Sequence, residues 1–263
     1  MSACVPSKKI SVGPGASRSA QFSHWMRRTA AITAAGLCLG LFAAGPAQAQ
    51  AATEQHSSVI IATSAYAETR PSLAPGPKRA DFLAEPASTD ARQVADWVVD
   101  TGNNRSLPFV IVDKKNTEVF VFDAHGHLID ATPVLLGLAR GDDSAPGIGD
   151  RKLSQIRPEE RTTPAGRFVA SMGRNLGPQD VLWVDYAAAL SLHRVLATNT
   201  REHRLQRLAA ASPLDHRITF GCINVPVKFF DSVVHPTFTG TNGIVYILPE
   251  IKSIPEVFFN SSS

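Results

Sequence analysis

Cysteine is scarce in this chain, with three residues among 263. Three cysteines without a C-x-x-C pair cannot form the disulfide framework of a small secreted domain, and they do not match a zinc or iron–sulfur site. Charged residues are also few, at 19%, while hydrophobic residues reach 44%. This balance excludes an intrinsically disordered chain and is sufficient for one or two domains with a hydrophobic core.

Acidic residues are absent before Glu54, whereas five basic residues lie within the first 28 positions. An uncharged run rich in Ala and Leu follows over residues 29–45, and Pro46 separates it from the small-residue sequence Ala47-Gln48-Ala49. This order predicts a secretory signal peptide over residues 1–49. We therefore expect the protein in the periplasm or cell envelope, with no stable membrane span after the signal is cleaved.

Other interpretations of this segment are weaker. Arg27 and Arg28 suit a twin-arginine signal only partly, because no strongly apolar residue follows at once. Cys38 lacks the small preceding residue of a lipidation site, and the 17 uncharged residues at 29–45 are a weak membrane anchor. Translation could also start near Met26, since the basic segment is long for a signal peptide.

The net charge of +3 comes from the predicted signal peptide. Without its five basic residues, 21 Lys and Arg face 23 Asp and Glu, which leaves a net charge of about −2. A slightly acidic mature chain is not expected to bind nucleic acid.

Composition divides the rest of the chain into three segments. Residues 50–105 are expected to be a Pro/Ala-rich linker followed by a short helix, which Asp90 would cap and Gly102 would end. Residues 106–250 carry the strand patterns of a catalytic domain, and residues 251–263 form a C-terminal tail. No internal repeat is visible.

Hydrophobic residues alternate with period two after Pro108, which predicts a mainly β, mainly antiparallel domain with a few short helices. The predicted strands cover residues 109–112, 118–122, 128–136, 167–171, 181–186, 189–193 and 244–248, and the predicted helices cover residues 201–211 and 225–234.

Cys222 is the one cysteine downstream of the predicted signal peptide. It could be a buried apolar residue, a site of intermolecular pairing or a nucleophile. Gly221 permits a tight turn before it, and Pro226 can open a helix after it. Backbone N–H groups at a helix N-terminus would favour the thiolate, and a nearby histidine would be needed as a base.

Residues 219–224, Thr-Phe-Gly-Cys-Ile-Asn, resemble the S/T-x-G-C-x-R/N motif of L,D-transpeptidase catalytic domains of the YkuD type. Residues 161–168 resemble the T-P-x-G-x-F signature of that family, and residues 189–193 resemble the strand that carries its catalytic histidine. The resemblance covers residues 107–249. It implies an L,D-transpeptidase-like β-sandwich or barrel in the bacterial cell envelope.

The resemblance also implies an activity on peptidoglycan stem peptides. Cys222 would be the nucleophile and His193 the base, while the N–H groups of Gly221 and Cys222, helped by the Thr219 hydroxyl, would stabilise the oxyanion. Asn224 would order the site or contact the substrate. No metal or organic cofactor is required, and carbapenem-type inhibitors are expected to bind.

Three functions remain open at this point. The thioester on the cysteine could pass to an amine, as in a transpeptidase that forms cross-links or attachments, or to water, as in a carboxypeptidase. A third possibility is a non-catalytic module that binds the cell envelope with the same fold.

The chain departs from the family between the histidine and the cysteine. His193 is followed by Arg194 where the family has Gly, and Cys222 comes 29 residues after His193, so residues 195–216 are interpreted as an insertion that caps the cleft. His203 and His216 lie closer to the cysteine in sequence and compete for the role of base. His193 is preferred because it ends a predicted strand, which holds a side chain more rigidly than a mobile segment.

Arg194 and Arg217 are candidates for binding a carboxylate of the substrate, although both could equally be ordinary surface arginines. His125 and His127 are expected in an exposed turn rather than at a metal. The loop at residues 141–147 lacks the alternating acidic residues of a calcium site.

Overall fold

The computed structural model describes residues 76–175 and 177–260. The predicted signal peptide at residues 1–49, with its cleavage site and Cys38, lies outside the described residues, as do the linker up to residue 75 and residues 261–263 of the tail. The segment boundaries therefore stay predictions. Within residues 76–175 and 177–260, no helix has the length and apolar character needed to cross a membrane.

The first helix, α1, spans Thr89–Thr101 and ends at Gly102, whose φ of 66° is left-handed. Its cap is Ser88, because the Ser88 hydroxyl accepts the Ala91 N–H at 3.1 Å. The prediction that Asp90 caps this helix is wrong, since Asp90 lies inside the first turn. One face of α1 is buried, through Ala91, Val94, Ala95 and Val98.

The described part of the chain contains ten strands, and eight of them share one sheet in the order β3-β2-β1-β10-β5-β6-β7-β9. Neighbours are antiparallel except for the pairs β1/β10 and β7/β9. The strands are β1 Phe109–Asp113, β2 Glu118–Phe122, β3 Leu128–Pro133, β4 Leu136–Gly137, β5 Gly166–Arg174, β6 Asp180–Asp185, β7 Leu190–Arg194, β8 Arg217–Thr219, β9 Ile223–Val225 and β10 Asn242–Ile247.

The sheet is nearly closed into a barrel. Leu135, two residues after the edge strand β3, forms a bridge with Asn224 of the opposite edge strand β9. The short strands β4 and β8 pair in parallel beside this junction. The prediction of a mainly β domain with a few short helices is confirmed.

Both faces of the central strands are buried, which explains their nearly continuous apolar sequences. Side chains alternate between two clusters, so that Val110 and Val112 of β1 pack in one and Phe109 and Ile111 pack in the other, beneath α1. Each such side chain contributes about 1.5–3 kcal/mol on burial, and these two layers hold the strands that carry the site.

The two helices predicted after β7 differ from the prediction in opposite ways: the first is shorter, whereas helical backbone at the second runs from Val227 to Phe238, past the predicted end at residue 234. The predicted helix at 201–211 is interrupted at His203, whose φ of 49° is left-handed, and only Arg204–Leu208 is α-helical, as α2. The remaining helical segments are α3 Val227–Phe229, α4 His235–Phe238, 3₁₀ turns at Ile148–Asp150, Leu153–Gln155, Pro158–Glu160 and Thr200–Glu202, and π turns at Phe230–Val234 and Pro255–Phe259.

The expectation that Cys222 lies at a helix N-terminus is wrong. Ile223–Val225 forms strand β9, which pairs with β7, and the helical segment begins only at Val227. β-branched residues at both ends of this segment suit a strand, and Pro226, which lacks an N–H, ends the ladder. Cys222 therefore lies in the turn between β8 and β9.

Candidate active site

The parallel pairing of β7 with β9 brings the predicted catalytic residues together. His193 is opposite Asn224 in this register, and side chains two residues apart on a strand share a face. Ser191 and His193 of β7 therefore face the same side as Cys222 and Asn224. His193, Cys222 and Asn224 all line one cavity of about 380 Å³.

The thiol of Cys222 is half-buried at this cavity. The Ser191 hydroxyl lies 3.7 Å from Cys222 Sγ, and Sγ lies 3.5 Å from the carbonyl oxygen of Ala189. Both contacts come from the β6–β7 side of the sheet, so β7 positions the thiol as well as His193.

Hydrogen bonds and a required glycine fix the turn that carries Cys222. Gly221 has a φ of 129°, and a Cβ there would lie 2.7 Å from the Thr162 carbonyl oxygen. The Thr219 hydroxyl donates to Cys222 O at 2.7 Å and accepts the Gly221 N–H at 3.1 Å. The buried Thr163 hydroxyl donates to Gly221 O at 2.7 Å. These contacts support the turn, while the oxyanion roles of Gly221 and Thr219 stay predictions.

The imidazole of His193 is held on both sides. Nδ1 lies 2.8 Å from the carbonyl oxygen of Arg194, which can only accept a hydrogen bond, so Nδ1 carries the proton. Nε2 lies 3.1 Å from Nδ2 of Asn224. The ring is therefore oriented by the backbone on one side and by an amide on the other.

Residues 195–216, which were interpreted from the sequence as an insertion, form one wall of the cavity through Leu196, Thr198, Asn199, Glu202 and Arg204. His203 is exposed and does not line the cavity. His216 is buried, and its two ring nitrogens lie 3.1 and 3.0 Å from the carbonyl oxygens of Val134 and Ala210. Among the described residues, His193 is the histidine that lines the cavity.

The structure does not bring the side chains of Arg194 and Arg217 to the cavity. Arg194 donates to Asp231 at 2.7 Å and lies 4.2 Å above the Phe230 ring, and only its backbone carbonyl contacts His193. Arg217 does bind a carboxylate, but that carboxylate is the internal Glu250, at 2.7 Å. A substrate-binding role for Arg194 thus stays a prediction with no cavity contact behind it.

Three other arginines, Arg151, Arg161 and Arg204, line the cavity, and sequence reasoning named none of them as a site residue. The Arg161 guanidinium lies 4.0 Å above the ring of Phe220 and donates to the carbonyl of Ile156. Arg204 donates to Asn224 Oδ1 at 2.7 Å. Arg161 begins the T-P-x-G-x-F region, which was a usable signal, whereas nothing in the insertion distinguishes Arg204 from its neighbouring arginines.

A buried group of charges lies behind the Cys222 turn. Lys114 Nζ donates to Asp142 Oδ1 at 2.7 Å and to Thr163 O at 2.8 Å, and Glu250 lies 3.8 Å away. Burial lowers the pKa of Lys114. Burial would raise the pKa of Asp142, but the hydrogen bonds from Lys114 and from the N–H groups of residues 250–252 outweigh it and lower the pKa to about 2.

These charges link the segment after β10 to the Cys222 turn. Thr163 connects Lys114 to Gly221 O through its own carbonyl and hydroxyl, and Asp142 accepts three backbone N–H groups after β10. In the 141–147 loop, the Asp142 carboxylate thus binds Lys114 and backbone N–H groups.

His125 and His127 are exposed in the β2–β3 turn, where His127 contacts Asp123 at 3.0 Å.

No family model matches the chain, and no curated protein matches it. Solved structures of L,D-transpeptidases are similar at low identity. The catalytic domain of the Enterococcus faecium enzyme is 15% identical, with 54% of this chain and 96% of that one covered and a TM-score of 0.31. The Mycobacterium smegmatis enzyme is 12% identical, with 54% and 58% covered and a TM-score of 0.31.

The helical cell shape determining protein Pgp2 from Campylobacter jejuni is also similar, at 14% identity, with 56% of this chain and 49% of that one covered and a TM-score of 0.37. The chain spans about half the length of several of these proteins. At TM-scores this low, the similarities carry no conclusion about function, which must come from the geometry of the site.

Proposed function

We propose that this protein is an exported cysteine acyltransferase, an L,D-transpeptidase that acts on peptidoglycan stem peptides in the cell envelope. The observation that carries the proposal is the shared cavity of Cys222 and His193, which β7 and β9 bring to one face of the sheet. A thiol and an imidazole in one cleft, with the imidazole oriented by a third group, are the elements of nucleophilic cysteine catalysis.

The reaction begins when Cys222 gives its proton to His193 and Sγ attacks the carbonyl carbon between the L-centre and the terminal D-residue. Since Nδ1 is bonded to the Arg194 carbonyl, Nε2 is the nitrogen that can receive the proton, and the Asn224 NH₂ group that lies 3.1 Å from it must turn aside first. The C–N bond then breaks, the departing amine takes the proton from His193, and D-alanine leaves. A thioester remains on Cys222, and an amine of a second stem peptide displaces the sulfur to form the new amide.

The Cys222 turn is proposed to stabilise the tetrahedral oxyanion through its backbone N–H groups. Contacts to Thr219 and Thr163 hold this turn before substrate arrives, so its donors need little rearrangement. Because the Gly221 N–H is bonded to the Thr219 hydroxyl, it can donate to the oxyanion only when Thr219 turns.

Arg161 supports an anionic substrate. It lines the cavity next to the Cys222 turn, stacks on Phe220, and has no carboxylate partner among the described residues. A guanidinium in this position can bind a carboxylate of the stem peptide through paired hydrogen bonds. We therefore propose Arg161, in preference to Arg194 and Arg217, as the arginine that binds the substrate.

Analysis of products tests the proposed function. We expect the purified protein to convert a muropeptide tetrapeptide into a cross-linked dimer with release of D-alanine, as measured by mass spectrometry. A tripeptide without dimer would show the carboxypeptidase instead. No turnover with retained binding would show the non-catalytic envelope module, and no turnover without binding would refute the proposal.

The same assay tests Arg161 when the free carboxylates of the peptide are amidated. We expect poorer turnover of the amidated peptide by the natural protein and no such difference in Arg161→Gln. If amidation of the peptide lowered turnover equally in both proteins, Arg161 would not be the residue that binds its carboxylate.

A further inference from the structure

Thr162 and Thr163 are clamped between two glycines that approach their backbone closely. On one side, a Cβ at Gly137 of β4 would lie 2.8 Å from the Thr163 nitrogen. On the other side, a Cβ at Gly221 would lie 2.7 Å from the Thr162 carbonyl oxygen. Both approaches require the absence of a side chain. The segment that contains Thr163 is therefore packed directly against the Cys222 turn.

The Thr163 hydroxyl is bonded on two sides, and the chemistry of its partners fixes its proton. It accepts the Gly137 N–H at 2.9 Å and donates to the Gly221 carbonyl oxygen at 2.7 Å. An N–H can only donate and a carbonyl can only accept, so one orientation of the hydroxyl satisfies both. Thr163 is fully buried, so bulk water does not compete for either bond. The hydroxyl is thus a directed link from β4 to the Gly221 carbonyl.

A bond to the Gly221 carbonyl also sets the direction of the Cys222 N–H, because both groups belong to one peptide unit. This unit is planar and trans, so its C=O and N–H point in opposite directions. Thr163 is buried behind the turn, whereas Cys222 lines the cavity. With the carbonyl directed at Thr163, the N–H is directed away from Thr163 and towards the cavity side of the turn.

Gly221 cannot hold this peptide by itself. Its φ of 129° lies in a region that glycine tolerates, and it has no side chain to hinder rotation of the peptide unit that follows. In the rotated orientation the carbonyl oxygen would replace the N–H on the cavity side, where it would repel a developing oxyanion. The close approach to Thr162 requires a glycine, and that glycine makes a specific contact necessary to fix the peptide.

The buried Lys114 fixes Thr163 from its other end. Lys114 Nζ donates to the Thr163 carbonyl oxygen at 2.8 Å and is itself held by Asp142 Oδ1 at 2.7 Å. Thr163 is therefore bonded through both its carbonyl and its hydroxyl. The hydroxyl thus has a fixed position from which it can direct the Gly221 carbonyl.

We propose that Thr163 is a positioning residue whose hydroxyl holds the Gly221–Cys222 peptide in one orientation and so directs the Cys222 N–H at the oxyanion. The oxyanion rests on the proposed function, whereas the orientation of the peptide does not. The bonds from Gly137 to Thr163 and from Thr163 to Gly221 run in the same direction, so each polarises the next and strengthens the final N–H as a donor.

Crystal structures of the natural protein, Thr163→Val and Thr163→Ser test the orientation of the peptide. Valine has the shape of threonine but cannot donate a hydrogen bond, whereas serine keeps the hydroxyl. We expect the Gly221 carbonyl to face residue 163 in the natural protein and in Thr163→Ser, and to turn away in Thr163→Val. A carbonyl that stays in place in Thr163→Val would overturn the proposal, whatever the activity. If Thr163→Val does not fold, Thr163→Ala gives the same comparison with less bulk.

Two reactions of Cys222 separate a positioning role from general damage to the site. Acylation by a carbapenem passes through an oxyanion, whereas alkylation by iodoacetamide is a displacement at a saturated carbon and forms none. Thr163→Val should slow acylation by about 10²–10³-fold, the cost of losing one oxyanion donor, and leave alkylation unchanged. Thr163→Ser should restore the acylation rate. Equal slowing of both reactions in Thr163→Val would show a displaced thiol and overturn the directed role of Thr163.

Thr117→Val is the matched control. Thr117 is also buried and its hydroxyl also donates to a backbone carbonyl, that of Asn116 at 2.7 Å, but this carbonyl belongs to the β1–β2 turn. We expect both reactions at the natural rates, and a loss of acylation equal to that in Thr163→Val would contradict the proposal. If the natural protein is alkylated but never acylated, the proposed function fails, while the crystal structures still decide the role of Thr163.

Discussion

Lys114→Met is expected to lower the free energy of unfolding by about 3–5 kcal/mol, the range for removing one partner of a buried ion pair. The ammonium group is fully buried and donates to Gly141 O, Asp142 Oδ1 and Thr163 O at 2.6 to 2.8 Å. Methionine fills a similar volume but leaves a buried carboxylate and two carbonyls without their donor. The free energy of unfolding of a whole domain is about 5–15 kcal/mol, so this loss is severe.

Urea denaturation measures this effect, and the adjacent residue provides the control. Lys115 is paired with Asp90 at 2.8 Å, but 48% of its side chain is exposed. We expect Lys115→Met to cost less than about 1 kcal/mol because water screens exposed pairs. Equal losses in the two variants would show that the buried charges do not stabilise the domain.

The pH dependence of stability is a second test of the buried Lys114–Asp142 ion pair. The lowered pKa of Asp142, about 2 instead of 3.8, means that its contribution to stability is complete above about pH 4. The contribution is lost as the pH falls through 2, where the folded protein also binds the proton. Between pH 4 and pH 2, stability should therefore fall more steeply in the natural protein than in Lys114→Met, which lacks the ion pair.

Gly221→Ala is expected to reduce the rate of Cys222 acylation by about 10²-fold, although no reacting atom is changed. The added Cβ would lie 2.7 Å from the Thr162 carbonyl oxygen, and a φ of 129° disfavours any residue other than glycine. The Cys222 turn must shift to relieve this contact, and a displacement of about 1 Å at a catalytic group costs about 10²-fold.

Gly240→Ala is the matched control for Gly221→Ala. Gly240 also has a positive φ, of 81°, but a Cβ there would have no atom within 4 Å. Gly240→Ala should lower the free energy of unfolding by about 1–3 kcal/mol through backbone strain and leave the rate of Cys222 acylation unchanged. Acylation at the natural rate in a folded Gly221→Ala protein would contradict the close approach at Thr162.

The strands were largely predictable from sequence because their patterns are local. Residues 119–122 are consecutive β-branched and aromatic residues between polar turns, and residues 118–122 form β2 as predicted, while Phe109–Asp113 extends the predicted first strand by one residue. Residues 223–225 were not predictable, since three residues before a proline fit either a strand or a helix start. Pairing with β7, which is distant in sequence, decides between them.

The site was predictable where a motif marks it and not where long-range packing builds it. His193 and Cys222 were found from short stretches of sequence, and both line the cavity. Arg204 and Lys114 were missed because nothing local distinguishes an inward-facing arginine or lysine from a solvated one, whereas Arg161 had a usable signal in its place at the start of the T-P-x-G-x-F region. For the same reason, Arg194 and Arg217 were named as candidates for substrate binding, although both are paired with carboxylates of this chain.

Covalent labelling tests the central claim, that Cys222 is a nucleophile activated by His193, most directly. The protein is incubated with a carbapenem at neutral pH, and the adduct is located by peptide mass spectrometry. We predict one adduct on Cys222, none in Cys222→Ala, a much slower reaction in His193→Ala and the natural rate in His203→Ala. An unmodified Cys222, or a rate that depends on His203 and not on His193, would contradict this account.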